Sequence, residues 1–545
     1  MEVLMEMRDE RPVDAGWRRT AFWIIFIFAV TVRCIGFGSI PGGVNQDEAM
    51  AAVDGWALAQ YGTDRFGVRL PVHFSAWQYG QMSVLLSYCM VPFIRLFGFQ
   101  TVAVRLPALL ISCGGVALVY LVGKKLFDER FALMVMALTA INPWHFMQSR
   151  WALDCNLFPH VFLLAFYLLL LGFEKRRYLY LSMLFFGLTF YCYGVAVYSV
   201  IPFLVVCAAW CLWKKQLKVG EILACVLLFG VVALPEILVM AINLFRWDTI
   251  ETPLFTMSYF PESIRSNDIL LLNFSFVQLG RNIRAAIRCC FLQTPDHLYN
   301  ALPAFGPLYH ISIPFMALGI IGFSRKLFRE KEPGKKTRML ALWGFLMMGV
   351  WVGATTFEVN VNRINIIFYP LLFMCGYGLR MAGRFFSDRL WKKFFIGSCV
   401  AAAAVYAVCF ALFLRTYFTS FREDIRTYFN AYFLEAVKQA DEMEEYERLY
   451  ITGHMDWQYN LSMAEILTQY ACEIDALYFQ GTADSMGERG LLPYAERYHY
   501  VNVNYLTEAD EEGLYLFHVS ELEAVPFETE VIRELERYVL VTARP

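Results

Sequence analysis

The 14 cysteines of this chain form no CxxC pair and no Cys/His spacing of the kind that holds zinc. Most, such as Cys207 and Cys211, lie inside apolar runs, where a thiol packs as a small hydrophobe. The adjacent Cys289 and Cys290 are poorly placed to bridge each other. Neither a disulfide framework nor a structural zinc is expected, and no His/Asp/Glu spacing demands a metal. The chain also lacks a nucleotide-type glycine loop, since Gly481, Gly487 and Gly490 do not follow a strand with GxGxxG spacing. It has no internal repeat, no low-complexity tract and no Ser-His-Asp set. No small-residue cleavage site follows the first apolar run, which reads as a retained span rather than a removed signal peptide.

What the chain does have is hydrophobicity. Its 545 residues are 58% hydrophobic and 17% aromatic, with a mean hydropathy of +0.45. Apolar runs recur near the roughly 20 residues that cross a bilayer. They fall at 21–38, 104–123, 131–148, 157–173, 178–194, 197–213, 219–243, 311–324, 339–356, 364–383 and 394–417, about eleven in all. The expected fold class is an α-helical polytopic membrane protein. Its net charge of -2 conceals a split, because residues from 420 onward hold 25 acidic and 9 basic groups, leaving 24 acidic and 38 basic before them. That asymmetry marks two bodies. One is a membrane domain over 1–417, with outer loops at 39–103 and 244–310, and the other a soluble acidic domain over 418–545. Neither balance suits nucleic acid.

The side of each loop follows from its basic residues. If 81–97 lies at the surface as an interfacial helix, the cytoplasmic segments 1–20, 124–130, 174–178, 214–218, 325–338 and 380–393 hold 4, 3, 3, 3, 7 and 5 Lys+Arg. The positive-inside rule selects this arrangement over one in which 81–97 crosses and inverts every later loop. Residues 418–545 then lie outside the cytoplasm. There, helix patterns near 425–447 and 461–472 alternate with strand patterns near 449–452, 476–479, 500–503, 514–518 and 538–542, as in a small α/β unit.

With sides assigned, acids and arginines from four separated segments converge on the outer face. The first outer loop supplies Asn45, Asp47, Glu48, Asp54 and His73, and the second Arg150, Asp154 and Asn156. The seventh span supplies Glu236, and the last outer connection Glu358, Asn360, Asn362 and Arg363. Asp47 and Glu48 open an apparent helix over 47–61, where an acid serves either as a general base or as a helix-start residue favoured by the dipole. Asp154 is either a site acid or the ion-pair partner of Arg150, four residues earlier. Glu236, in an apolar run after Pro235, turns toward a polar cavity or snorkels to the interface. Arg246, Arg265, Arg281, Arg284 and Arg288 sit in the long outer loop, and the last three share a helical face suited to phosphates of a substrate or of lipid headgroups. His145, beside Trp144, reads as an interfacial hydrogen-bonding group and a lesser cavity candidate.

The order of these features resembles bacterial glycosyltransferases of the GT-C fold, in the group allied to protein O-mannosyltransferases and the lipid A aminoarabinose transferase. The motifs are Asp47-Glu48-Ala49, Tyr61-Gly62-Thr63-Asp64 with Gly67 and Pro71, Phe97-Gly98-Phe99, and Val104-Arg105-Leu106-Pro107. They continue with Asn142-Pro143-Trp144-His145, Ser149-Arg150, and Asp154 followed by Asn156-Leu157. Looser likeness extends to Thr294-Pro295-Asp296-His297, Gly306-Pro307-Leu308-Tyr309, and Arg363 with Pro370. The resemblance implies an inverting transfer of a hexosyl or pentosyl group from a polyprenyl-phosphate donor to an envelope acceptor, at the outer face of a bacterial cytoplasmic membrane. Asp47 would match the general base, with Glu48 and Asp154 in support, and Arg363, Arg150 and then Arg284 would receive the donor phosphate. Many relatives carry a Lys-Pro pair before the interfacial helix, whereas here Trp77-Gln78-Tyr79-Gly80-Gln81-Met82 stands in that region, which moves phosphate binding to an arginine. Some such enzymes use a divalent cation and others do not, so the resemblance leaves a metal open. Two competing readings are a transporter or flippase of lipid-linked sugars and a non-catalytic envelope-binding scaffold.

Overall fold

The computed structural model describes residues 13–78, 80–261, 274–356, 358–389, 392–482 and 492–544. Arg8, Arg11, Tyr79, Arg265, Gly487 and Gly490 lie outside the described residues. Helices stand at all eleven expected span positions. Among the described residues, seven stretches are long and apolar enough to cross a membrane: Thr101–Leu126, Asp154–Gly172, Val195–Trp213, Val219–Phe245, Pro333–Thr355, Asn365–Arg384 and Val400–Phe418. The other four are short or charged. Glu129–Ala140 has 12 residues and Arg176–Leu188 has 13, while Val13–Cys34 and Ser312–Arg329 carry arginines. The expected continuous span 131–148 is in fact two helices. Asn142 caps the second by accepting from the His145 backbone N–H at 3.0 Å, and Pro143 starts it because its missing N–H costs nothing there.

The first outer loop folds over the helical body. Its helix, Gln46–Tyr61, is capped by the Asn45 side chain, which accepts from Asp47 N at 3.1 Å, and it ends at the left-handed Gly62. The segment expected as one interfacial helix over 81–97 starts instead as a strand. Gln81–Ser83 pairs antiparallel with His73–Ser75, and the helix is Leu85–Phe97. Its 13 residues rise about 20 Å, short of a hydrocarbon core of roughly 30 Å. It lies along the Gln46–Tyr61 helix, with Ser87 Oγ donating to Ala51 O and Arg95 Nε to Ala59 O, both at 2.8 Å. Leu96 and Phe97 stay exposed at its end, as suits a surface-lying helix.

The outer domain is a five-stranded sheet with helices against it. Its order is Tyr498–Val501, Arg448–Thr452, Gly513–His518, Tyr538–Ala543, Thr529–Glu534. The first three strands are parallel and the last two antiparallel to their neighbours. Three expectations change. The single helix over 425–447 is two, Ser420–Tyr428 and Ala431–Asp441, broken at Asn430 with φ +51°. Residues 476–479 form a helical turn capped by the Asp475 side chain, not a strand. The edge strand Thr529–Glu534 went unread because its charges, which protect a sheet edge from pairing, look like loop.

This domain rests on the first outer loop. Val44 and Ala49 belong to the apolar cluster formed by Phe433, Val437, Met463 and Leu467. Tyr61 Oη donates to Asp475 Oδ2 at 2.7 Å, and the Thr101 and Tyr470 hydroxyls meet at 2.9 Å.

Candidate active site

Asp47 sits in the first turn of the loop helix, partly exposed. Its Oδ1 accepts from Trp77 Nε1 at 2.7 Å. Glu48, the next residue, is wholly buried. Its two oxygens accept from Arg105 Nε and Nη2 at 2.8 Å each, and Oε1 also accepts from Ala152 N at 2.7 Å. Arg105 in turn donates to the carbonyls of Pro41 and Gly43, each at 2.8 Å. This buried fork ties the approach to Asp47, the start of the Thr101–Leu126 span and the second outer loop into one block. Glu48 is therefore a strut that positions the site, and its burial removes it from contact with an acceptor.

Asp154 opens a short 3-10 turn, Asp154–Asn156, that Asn365 Nδ2 fixes by donating to Cys155 O at 2.7 Å. Cys155 lies within electrostatic reach of both Asp47 and Asp154. Arg363 reaches the same region: Tyr193, in the turn before Val195–Trp213, feels both Asp154 and Arg363. The Arg363 side chain is 25% exposed and donates through Nη1 to Glu358 O at 3.2 Å. The loop that carries it is held by Asp296, whose Oδ2 accepts from Val361 N at 3.2 Å. Tyr299 closes the group, its hydroxyl pushed up by burial and then by the charges of Asp296 and Asp47. Five segments thus place the Asp47 and Asp154 carboxylates and the Arg363 guanidinium within electrostatic reach of shared neighbours, Cys155, Tyr193 and Tyr299.

The remaining candidates separate from this group. Arg150 is wholly buried. It donates to the carbonyls of Arg33, Gly36 and Ile40 at 2.6, 2.9 and 3.3 Å and to Tyr417 Oη at 3.1 Å. A guanidinium so enclosed braces the backbone, so the expectation of a phosphate ligand there is corrected. His145 is also no cavity group. It is buried between Arg33 Nη2 at 3.0 Å and Tyr369 Oη at 3.1 Å, and Tyr369 Oη meets His160 at 2.6 Å. His73 and Glu236 do come together, at 3.1 Å and nearly buried. His73 lines a separate cavity of about 800 Å³ with Asp64, Arg69, Glu251, Thr256 and Tyr259. Arg284 is exposed on the amphipathic helix Phe276–Cys290. Among the described residues, no three His, Cys, Asp or Glu side chains form a metal-holding group. Sequence reasoning missed Arg105 and Trp77 as parts of the site. Arg105 was findable, because an arginine inside an apolar run must have a buried partner.

A helical membrane body with a small α/β domain seated on its first outer loop is a GT-C-like fold. Solved structures carry the same fold. ArnT from Cupriavidus metallidurans bound to undecaprenyl phosphate aligns over 96% of this chain and 98% of its own, with a TM-score of 0.57 and 14% identity. Its apo state aligns over 97% and 98%, with a TM-score of 0.53 and 11% identity. The Archaeoglobus fulgidus oligosaccharyltransferase in complex with Zn and sulfate aligns over 83% of this chain and 61% of its own, with a TM-score of 0.52 and 13% identity. In sequence, residues 82–239 match the family of dolichyl-phosphate-mannose-protein mannosyltransferases. No curated protein matches the chain.

Proposed function

We propose that this chain transfers a hexosyl or pentosyl group from a polyprenyl-phosphate donor to an envelope acceptor at the outer membrane face, with inversion. The observation that carries the reading is that Asp47 stands at the start of the first loop helix, held by Trp77 Nε1 at 2.7 Å, with Asp154 and Arg363 close enough to act electrostatically on shared neighbours, Cys155 and Tyr193. Asp47 takes the proton of the acceptor hydroxyl, whose oxygen attacks the anomeric carbon from the face opposite the phosphate. The bond from that carbon to the phosphate oxygen breaks, and polyprenyl phosphate departs with the electron pair. Arg363 meets the charge that develops on the leaving oxygen. Asp154 helps place the acceptor. Undecaprenyl phosphate in ArnT and the mannosyl family matched in sequence support a lipid-phosphate donor.

The test is kinetic and stereochemical. Asp47→Asn should lower the transfer rate by about 10²-fold or more, the usual worth of a positioned base, while folding and donor affinity persist. The product anomer, read by its NMR coupling, should be opposite to the donor's. Unchanged turnover in Asp47→Asn, or a retained anomer, contradicts the mechanism.

A further inference from the structure

We infer that the outer domain is a positioning element for Asp47, acting through Asn430 and Trp457. The inference rests on the functional reading above for its kinetic part only. Val44, three residues before Asp47, donates its N–H to Phe429 O at 2.7 Å. Asn430 then donates from Nδ2 to Val44 O at 3.3 Å. Its Oδ1 accepts from Trp457 Nε1 at 3.1 Å, which locks the amide the right way round. Asn430 is buried, with φ +51°, a left-handed geometry that Asn tolerates better than most residues.

The fit between the two backbones is close. Gly43 has φ +83°, and a Cβ there would lie 2.2 Å from Phe429 O and 2.9 Å from Ala431 Cα. Only a glycine lets the loop approach the Asn430 corner so nearly. Val44 is buried in the outer domain's apolar cluster, and Trp77, which holds the Asp47 carboxylate, packs against the same cluster. Asp47 is thus fixed from two sides by groups that the outer domain holds: upstream through Val44 and the Asn45 cap, and sideways through Trp77. A base misplaced by about 1 Å loses on the order of 10²-fold in rate, so these contacts have a kinetic consequence.

The experiment uses the full-length protein in detergent. Asn430→Gly keeps the left-handed backbone and removes both amide bonds, while Trp457→Phe removes only the Nε1 donor. Tyr61→Phe cuts a different contact between domain and loop, the one to Asp475, and serves as the control. Hydrogen exchange over 43–52 should speed up by about tenfold in the first two variants and stay unchanged in the control, with thermal midpoints near wild type. The transfer rate should fall by about tenfold or more, with the donor KM constant. Unaltered exchange over 43–52 in both variants overturns the inference, as does faster exchange with full transfer. A wild type without transfer contradicts the functional reading instead, and exchange still decides whether the outer domain holds the loop.

Discussion

Asp47 and Glu48 share a charge and a peptide bond, yet their surroundings assign them opposite work. Glu48 balances a buried guanidinium, so Glu48→Gln strands Arg105 among carbonyls without its counter-charge. Breaking such a pair costs about 3–5 kcal/mol. Thermal unfolding should therefore fall far more in Glu48→Gln than in Asp47→Asn, and equal losses would contradict the assignment. Asp64 gives a pH signature at the same scale. Burial, and next the neighbouring Asp54 carboxylate, hold its carboxyl up to about 7. The folded chain keeps that proton to higher pH than the unfolded chain, so its contribution is whole below the unfolded value of 3.8 and is lost as pH rises toward about 7. Across that window the wild type should lose stability relative to Asp64→Asn, measured by midpoint against pH. Sequence located the acids and arginines but could not divide site from strut. Spacing puts residues on a face, whereas Arg150 and Glu48 are defined by backbone carbonyls and an arginine that lie far away along the chain.

At the scale of elements, the proposed phosphate contact belongs to the last outer connection. Its Arg363 is only partly buried, unlike Arg150 and Arg105, and Asp296 holds its loop to the long outer loop. Arg363→Ala should raise the donor KM, Arg363→Lys less so because an ammonium lacks the planar fork, and acceptor KM should change little. A raised donor KM in Arg284→Ala with none in Arg363→Ala would move the phosphate to the amphipathic helix. Most helices were legible because their apolar runs are long. Their breaks were less so: Asn142-Pro143 reads as polar punctuation only once its cap is seen, and Asn430 carries no local sign of its left-handed turn. The strand Gln81–Ser83 is set by its partner His73–Ser75 rather than by its own residues.

The whole molecule combines a basic membrane body with an acidic domain seated on the first outer loop. The positive-inside rule leads to the expectation that this domain stands outside the cytoplasm. On a cysteine-free background, Glu444→Cys, at an exposed position, should react with an impermeant thiol reagent in intact cells, and protection would invert the topology. The apolar pattern and charge split made this architecture readable, but the docking of the outer domain on 43–49 depends on contacts across the chain that no local pattern records. Sugar transfer from a lipid-phosphate donor by way of Asp47 would leave its mark on whole cells. Mass spectrometry of lipid-linked sugars and envelope glycans should compare cells with the wild-type chain, with Asp47→Asn and with neither. A sugar modification should be present only with the wild type, and a polyprenyl-phosphate sugar should accumulate in the other two. A modification that persists with Asp47→Asn, or identical pools in all three, would contradict transfer by way of Asp47.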